Sequence, residues 1–414
     1  MNKLKNADRR LVTILLIVFV QMLGAAMILP ILPLYAKNEF SMSAETITLL
    51  ITAFFAAQFI AGPYLGRLSD RIGRMPVLII SQIGTAISFL MLAWAPSVLV
   101  LFLARILDGI TGGNIIVAQA YITDITPREK RTQSLGYIFA VFGLGFIFGP
   151  ALGGLLSGLF DPRTPYIIAA VAATIVVVLT WFTLDESLTT EQREENRRFR
   201  RGSLAPREVV RNVPLVLILI IAFVGQFGLG MLQATFALYG EAVLFAEYST
   251  RVATVGIGLL LAVIGVGQFL TQAFILPRAL KRFDETWLVI AGILVRTLAM
   301  AIYAIIASWF IAGIAGLFFA IGMGIMMPSL QSLATTTVPD QLRGGVLGVY
   351  QSTISLTVII STAISGVIFS LNPTAPDWIG AVLTLLVLPP AIALARRKEL
   401  TSPSQPPSVP TPMD

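Results

Sequence analysis

Along the chain, long stretches free of Lys, Arg, Asp and Glu alternate with short charged ones. A membrane-spanning helix needs about 20 consecutive, mostly apolar residues. Charge-free windows occur at 11–36, 46–66, 75–104, 132–160, 164–184, 212–240, 252–277, 297–339, 344–376 and 378–395. Windows too long for one span divide at polar or proline-containing joints such as Trp94-Ala95-Pro96-Ser97. The pattern predicts twelve helices. The first six lie near 11–35, 46–66, 75–94, 98–123, 133–159 and 165–184. The second six lie near 213–239, 252–275, 286–306, 309–333, 345–370 and 378–395. The first stretch lacks a small-residue cleavage site, so it reads as helix 1 and not as a signal peptide.

The connections alternate in charge. Counted by predicted side, 24 of the 29 Lys and Arg fall with the termini and the even-numbered connections, against Lys37, Arg163 and Arg251 on the other side. Positive charge accumulates on the cytoplasmic side of membrane proteins, so both termini are expected in the cytoplasm of a plasma-membrane protein. The net charge of +7 is thereby explained as topology, and no nucleic-acid partner is implied. The expected partners are the lipid bilayer and a small molecule, with the chain acting as a monomer.

Composition narrows the chemistry. Of the 414 residues, 56% are apolar and 12% charged, and mean hydropathy is +0.84; soluble domains run at about 45–50% and about 25%. Cys and His are both absent. No thiol nucleophile, imidazole base or Cys/His metal site exists, which argues against an enzyme and against a bound cofactor or metal.

The longest connection, 185–212, is acidic and then basic with almost no apolar face. It reads as a solvated tether between a first half, 1–184, and a second, 213–396, followed by a proline-rich tail, 397–414, expected to be disordered. A shift of 212 residues places Gly112 on Gly324, Gln119 on Gln331, Pro127 on Pro339, Arg131 on Arg343 and Gly154 on Gly366. The fold class is therefore all-α integral membrane, with twelve transmembrane helices in two six-helix halves. Such repeats suit a secondary transporter with its site between the halves near the midplane.

After helix 2 the chain reads Gly66-Arg67-Leu68-Ser69-Asp70-Arg71-Ile72-Gly73-Arg74. As residues alone this is a charged turn obeying the orientation rule. The pattern G-x-L-x-D-R-x-G-R resembles the signature of the major facilitator superfamily, over roughly residues 10–396. The resemblance implies a cytoplasmic gate. In it Asp70 faces the N-terminus of helix 11 and pairs with Arg71 and Arg74, joined by Asp124 at the end of helix 4. A carboxylate is favoured at a helix N-terminus, and arginine pairs well with it.

Helix 5 carries Gly136, Gly145, Gly149, Pro150, Gly153 and Gly154. Gly145, Gly149 and Gly153 recur every four residues on one face, which permits close backbone packing in lipid. The full spacing resembles the signature of the drug/proton antiporter branch, and the resemblance implies export, with this helix packed against helix 8.

Helix 4 reads Leu103-Ala104-Arg105-Ile106-Leu107-Asp108-Gly109. A rise of 1.5 Å per residue puts Arg105 roughly 10 Å and Asp108 roughly 15 Å into the membrane. Intramembrane charges default to a functional role, the bland reading being a self-neutralised pair. By elimination, with no histidine, Asp108 is the candidate proton carrier and Arg105 its partner. The other acids Asp124, Glu241 and Asp377 are expected at helix ends.

Ile28-Leu29-Pro30-Ile31-Leu32-Pro33 and Pro328-Ser329-Leu330-Gln331-Ser332-Leu333 resemble tetracycline-efflux proteins. The chain departs from them at Gln21 and Arg296, where those proteins carry intramembrane acids. Candidate cavity groups are Gln21, Asn114, Gln119, Gln226, Gln233, Gln268, Gln331 and Gln351, with Gln58 and Gln272 beside them. Neutral amides among apolar side chains suit amphiphilic ligands, though any one of them equally serves an interhelical hydrogen bond. The expected activity is export of small amphiphilic compounds, drug or tetracycline-like, by proton antiport. Export of a specific metabolite or lipid, and a non-transporting sensor, stay open as alternatives.

Overall fold

The computed structural model describes residues 2–126, 131–188, 206–338 and 342–401. Most of the 185–212 connection and the end of the 397–414 tail lie outside the described residues, as do Pro127 and Pro339. Among the described residues there is no strand. Twelve helices are long and apolar enough to cross a membrane. They are α1 (Arg10–Phe40), α2 (Ala44–Ile72), α3 (Arg74–Ala93), α4 (Val98–Ile125), α5 (Val141–Leu159) and α6 (Thr164–Thr183). The rest are α7 (Val213–Leu244), α8 (Thr250–Ala279), α9 (Glu285–Ile305), α10 (Trp309–Thr336), α11 (Gly345–Leu371) and α12 (Ala375–Arg396). In lipid every backbone polar group must find a partner inside the protein, which helices achieve segment by segment.

Several helices overrun their charge-free windows. α1 continues through Pro30 and Pro33 to Phe40, bringing Lys37 to Glu241 of α7, Nζ to Oε2, at 2.6 Å. α2 continues through the charged motif and stops at Gly73, which adopts φ 110°, ψ 158°. That conformation is essentially reserved for glycine, which explains the glycine of the motif locally: it lets α3 restart at once in a new direction.

α1, α2, α3, α4 and α6 share one buried core around Tyr35, Leu50, Phe89, Leu101 and Tyr166. α7, α8, α9, α10 and α12 share another around Phe236, Ile257, Tyr303 and Phe319. Between these groups α5 packs on α8, and α2 on α11. The two contacts use residues 212 apart. A Cβ at Gly154 would lie 2.8 Å from the Thr254 carbonyl oxygen and 3.1 Å from Gly258 Cα of α8. A Cβ at Gly366 would lie 2.6 Å from the Ala44 carbonyl oxygen of α2.

Candidate functional site

Both intramembrane charges of α4 are buried and paired. Arg105 donates from Nη1 to Asp108 Oδ2, with the two side chains 7% and 6% exposed. The guanidinium lies over the Phe54 ring of α2, 4.2 Å from its centroid. Ser88 of α3 flanks the Asp108 carboxyl, and Tyr166 of α6 lies beside Arg105. Arg105 Nε and the Tyr166 hydroxyl have no hydrogen-bond partner. The pair therefore has polar capacity left over, unlike a closed structural ion pair. Just beyond it, α4 is interrupted at Gly113, with Asn114 starting its second segment.

Polar side chains continue from the pair towards the membrane centre. Thr111 Oγ1 donates to the Asp108 carbonyl at 3.2 Å and shares a 2.9 Å hydrogen bond with Thr85 Oγ1. Thr85 lines a small cavity with Gln21, Gln82 and Asn114, with room for about one water. Gln82 Nε2 and Asn114 Oδ1 are buried there without partners. The structure thus brings Gln21 and Asn114 together and adds Gln82, an α3 amide that sequence reasoning missed. The other candidate amides do not join this cavity. Gln58 donates to the Gly112 carbonyl at 3.2 Å, an interhelical tie. Gln226 is buried, Gln119, Gln233 and Gln268 are half-buried, and Gln272, Gln331 and Gln351 are exposed.

The motif after α2 forms a network differing from the expected one. Arg74 is its centre. It pairs with Asp70 at 2.7 Å and Asp124 at 3.0 Å, and donates to Ser69 Oγ at 2.7 Å. Arg71 is exposed and makes no ion pair among the described residues. Asp70 meets Arg74 and not the start of α11 among the described residues, and at Gly348 on α11 a Cβ would meet nothing within 4 Å. The carboxylate that does sit at a helix N-terminus is Glu186, accepting from the backbone N–H of Arg74 at 2.9 Å and of Met75 at 3.3 Å. Ser187 Oγ donates to Asp124 at 3.0 Å. The start of the 185–212 connection is therefore clamped to the motif instead of being purely a tether. Gly66 packs near Ile116 of α4.

The glycine stripe of α5 faces α1, not α8. A Cβ at Gly145 would lie 2.8 Å from Met22 Cβ, at Gly149 3.0 Å from the Leu23 carbonyl oxygen, and at Gly153 3.1 Å from Ile31 Cδ1 and Met27 Cα. The contact with α8 comes from the neighbouring face, where Pro150 and Gly154 meet Gly258. The expected packing against α8 thus belongs to Pro150 and Gly154. Of Gly136 only the helical backbone is described. Gly149→Leu should force α1 and α5 apart. Membrane insertion should persist while transport falls at least tenfold and the detergent unfolding midpoint drops, measured by size-exclusion profile, flux and thermal melt; Gly149→Ala should lie between.

The second half also carries buried charge. Asp377 in the first turn of α12 is at a helix end, as expected, yet only 3% exposed, near Tyr239 and Tyr303. Arg296 of α9 is wholly buried.

Among the described residues, twelve helices long and apolar enough to cross a membrane surround these buried charges, the frame of the transporter family that the chain matches. The model of the Major Facilitator Superfamily matches residues 14–246 and 242–412, and the chain belongs to that family. It is 33% identical to the class C tetracycline resistance protein of Escherichia coli over 93% of this chain and 96% of that one. It is 27% identical to multidrug resistance protein 2 of Bacillus subtilis over 90% and 92%. In fold it resembles the crystal structure of a peptide transporter in complex with alafosfalin, with a TM-score of 0.78 at 13% identity over 96% of this chain and 99% of that one.

Proposed function

We propose that this chain exports small amphiphilic compounds, drug or tetracycline-like, by proton antiport with alternating access between its two six-helix halves. The observation that carries the reading is the buried Arg105–Asp108 pair on α4, with the Gln21, Gln82 and Asn114 cavity further along the same helix bundle, in a chain similar to resistance proteins. Burial favours the protonated acid and the adjacent guanidinium favours the carboxylate. Any change in the Arg105 contact or in water access during alternation then moves a proton. Thr111, bonded to the Asp108 backbone carbonyl and to Thr85, and Asn114 in the cavity beside Thr85 supply polar groups near the pair.

The inter-half contacts support one state of the cycle. Lys37–Glu241, Arg251 Nη2 donating to the Leu159 carbonyl at 2.9 Å, and Gly366 against Ala44 all lie at the end poor in basic residues. Gly348, towards the other end, faces open space. With the basic side in the cytoplasm, these contacts read as the outer closure of the cycle. Expression in an efflux-deficient bacterium should raise the tolerated concentration of some members of a panel of tetracyclines and amphiphilic dyes; no change for any member contradicts export. For orientation, Lys37→Cys and Arg251→Cys should label with an impermeant maleimide on intact cells. Lys281→Cys should label only after permeabilisation.

A further inference from the structure

Arg296 is the largest fully buried side chain, on α9 near the middle of the span. None of its three guanidinium nitrogens has a hydrogen-bond partner, and no carboxylate lies within ion-pair reach among the described residues. Its close electrostatic neighbour is the Phe319 ring, 4.9 Å from Cζ to centroid. Arg105, buried in the other half, has Asp108. Asp377, on α12 beside Tyr239 and Tyr303, is out of ion-pair reach of Arg296. A membrane-buried arginine is normally paired with another group, and this one has no such pair among the described residues.

The cation is enclosed between α10 and α7. Towards α10 the backbones touch, a Cβ at Gly322 lying 2.9 Å from the Arg296 amide nitrogen. Towards α7 the guanidinium meets a glycine. A Cβ at Gly225 would lie 3.7 Å from Nη1 and 2.8 Å from Met326 Cε. Met326, itself fully buried, packs at the same glycine; its side chain is unbranched and adaptable. A mere space-filler here needs no charge, because apolar residues of similar volume avoid the desolvation penalty.

We infer that Arg296 recognises an anionic group, a carboxylate or its equivalent, on the transported compound, so that the substrates include amphiphilic anions or zwitterions. The inference rests on the export reading and names the charge of its substrate. The planar fork of arginine binds a carboxylate through two parallel hydrogen bonds, and two of the three orphaned nitrogens would be satisfied by it.

The test is transport driven by a pH gradient in proteoliposomes of the full chain, with the anionic dye carboxyfluorescein and the cation ethidium as probes. Wild type should move carboxyfluorescein. Arg296→Met and Arg296→Gln should lose that activity at least tenfold with ethidium transport kept within twofold, and Arg296→Lys should retain part of it. Arg296→Met should also melt no lower than wild type. Unchanged carboxyfluorescein transport in Arg296→Met overturns the inference. So does a lowered melt with parallel loss of both probes, the mark of a packing role. Wild-type transport of ethidium without carboxyfluorescein, or of neither probe, overturns the anion assignment; the export reading falls only if no member of the tolerance panel is exported either. Replacing gluconate by chloride should leave the carboxyfluorescein rate within twofold; a rate that requires chloride places an inorganic ion at Arg296 and overturns the assignment to substrate.

Discussion

Asp108→Asn should abolish uphill, proton-driven export while leaving substrate binding and downhill exchange measurable. The amide keeps the shape of the carboxyl and an acceptor for Arg105 Nη1, but it no longer exchanges a proton. Removing one partner of a buried pair leaves the other charge uncompensated, at a cost of about 3–5 kcal/mol. Some loss of stability is therefore expected on either view of the pair. The double variant Arg105→Gln/Asp108→Asn separates them, because it removes both charges and with them the uncompensated one. If Asp108 only neutralises Arg105, the double variant recovers uphill transport. If Asp108 carries the proton, the double variant is stable, binds substrate and stays uncoupled. Flux against a gradient, assayed at several pH values beside a thermal melt, makes the distinction.

Arg74→Gln is expected to have the next largest effect. One guanidinium, 5% exposed, holds Asp70, Asp124 and Ser69. Losing it leaves two carboxylates facing the same space with like charges and no cation. Asp70 is 42% exposed and Asp124 22% exposed, so solvent screens part of the penalty, and about 1–3 kcal/mol is a reasonable scale for truncating charge-assisted hydrogen bonds. Glu186 is held by backbone N–H groups of Arg74 and Met75 and should stay in place. Transport should fall at least tenfold while the protein still inserts, and Arg74→Lys should restore only part of it, since lysine cannot reproduce the fork. Arg71→Gln, on an exposed side chain outside the network, should stay within twofold in the same flux assay. Equal losses at positions 71 and 74 would show that motif charge matters and not this geometry.

What could be read in the sequence follows from what lipid demands. A bilayer imposes a minimum apolar length, so the twelve spans stood out as charge-free windows, and two deep charges in helix 4 were visible because nothing else in that window is charged. The same rule is silent about burial at the edges. A window that stops at the nearest charge ends before Asp377, so a buried acid of α12 was placed with the end acids. Partners across helices were less legible. Gly145, Gly149 and Gly153 announce a close-packed face by spacing, but spacing does not say which helix occupies it. Tyr166, Gln82 and Ser88 carry no local signal, because a hydroxyl or amide in an apolar helix becomes part of a site only when the fold sets it beside Asp108 or Asn114. Glu186 sits in a stretch whose composition reads as a solvated linker, and its role depends on the N-terminus of α3 turning towards it.

The central claim is that a proton moves opposite to the exported compound. Proteoliposomes of the purified chain, loaded with a pH-sensitive dye and given an outward gradient of a transported compound without any imposed pH gradient, test it most directly. The account predicts that the lumen acidifies as the compound leaves, in proportion to its flux, and that Asp108→Asn releases the compound with no pH change. Wild-type flux with no change in luminal pH, or with luminal alkalinisation, would contradict it.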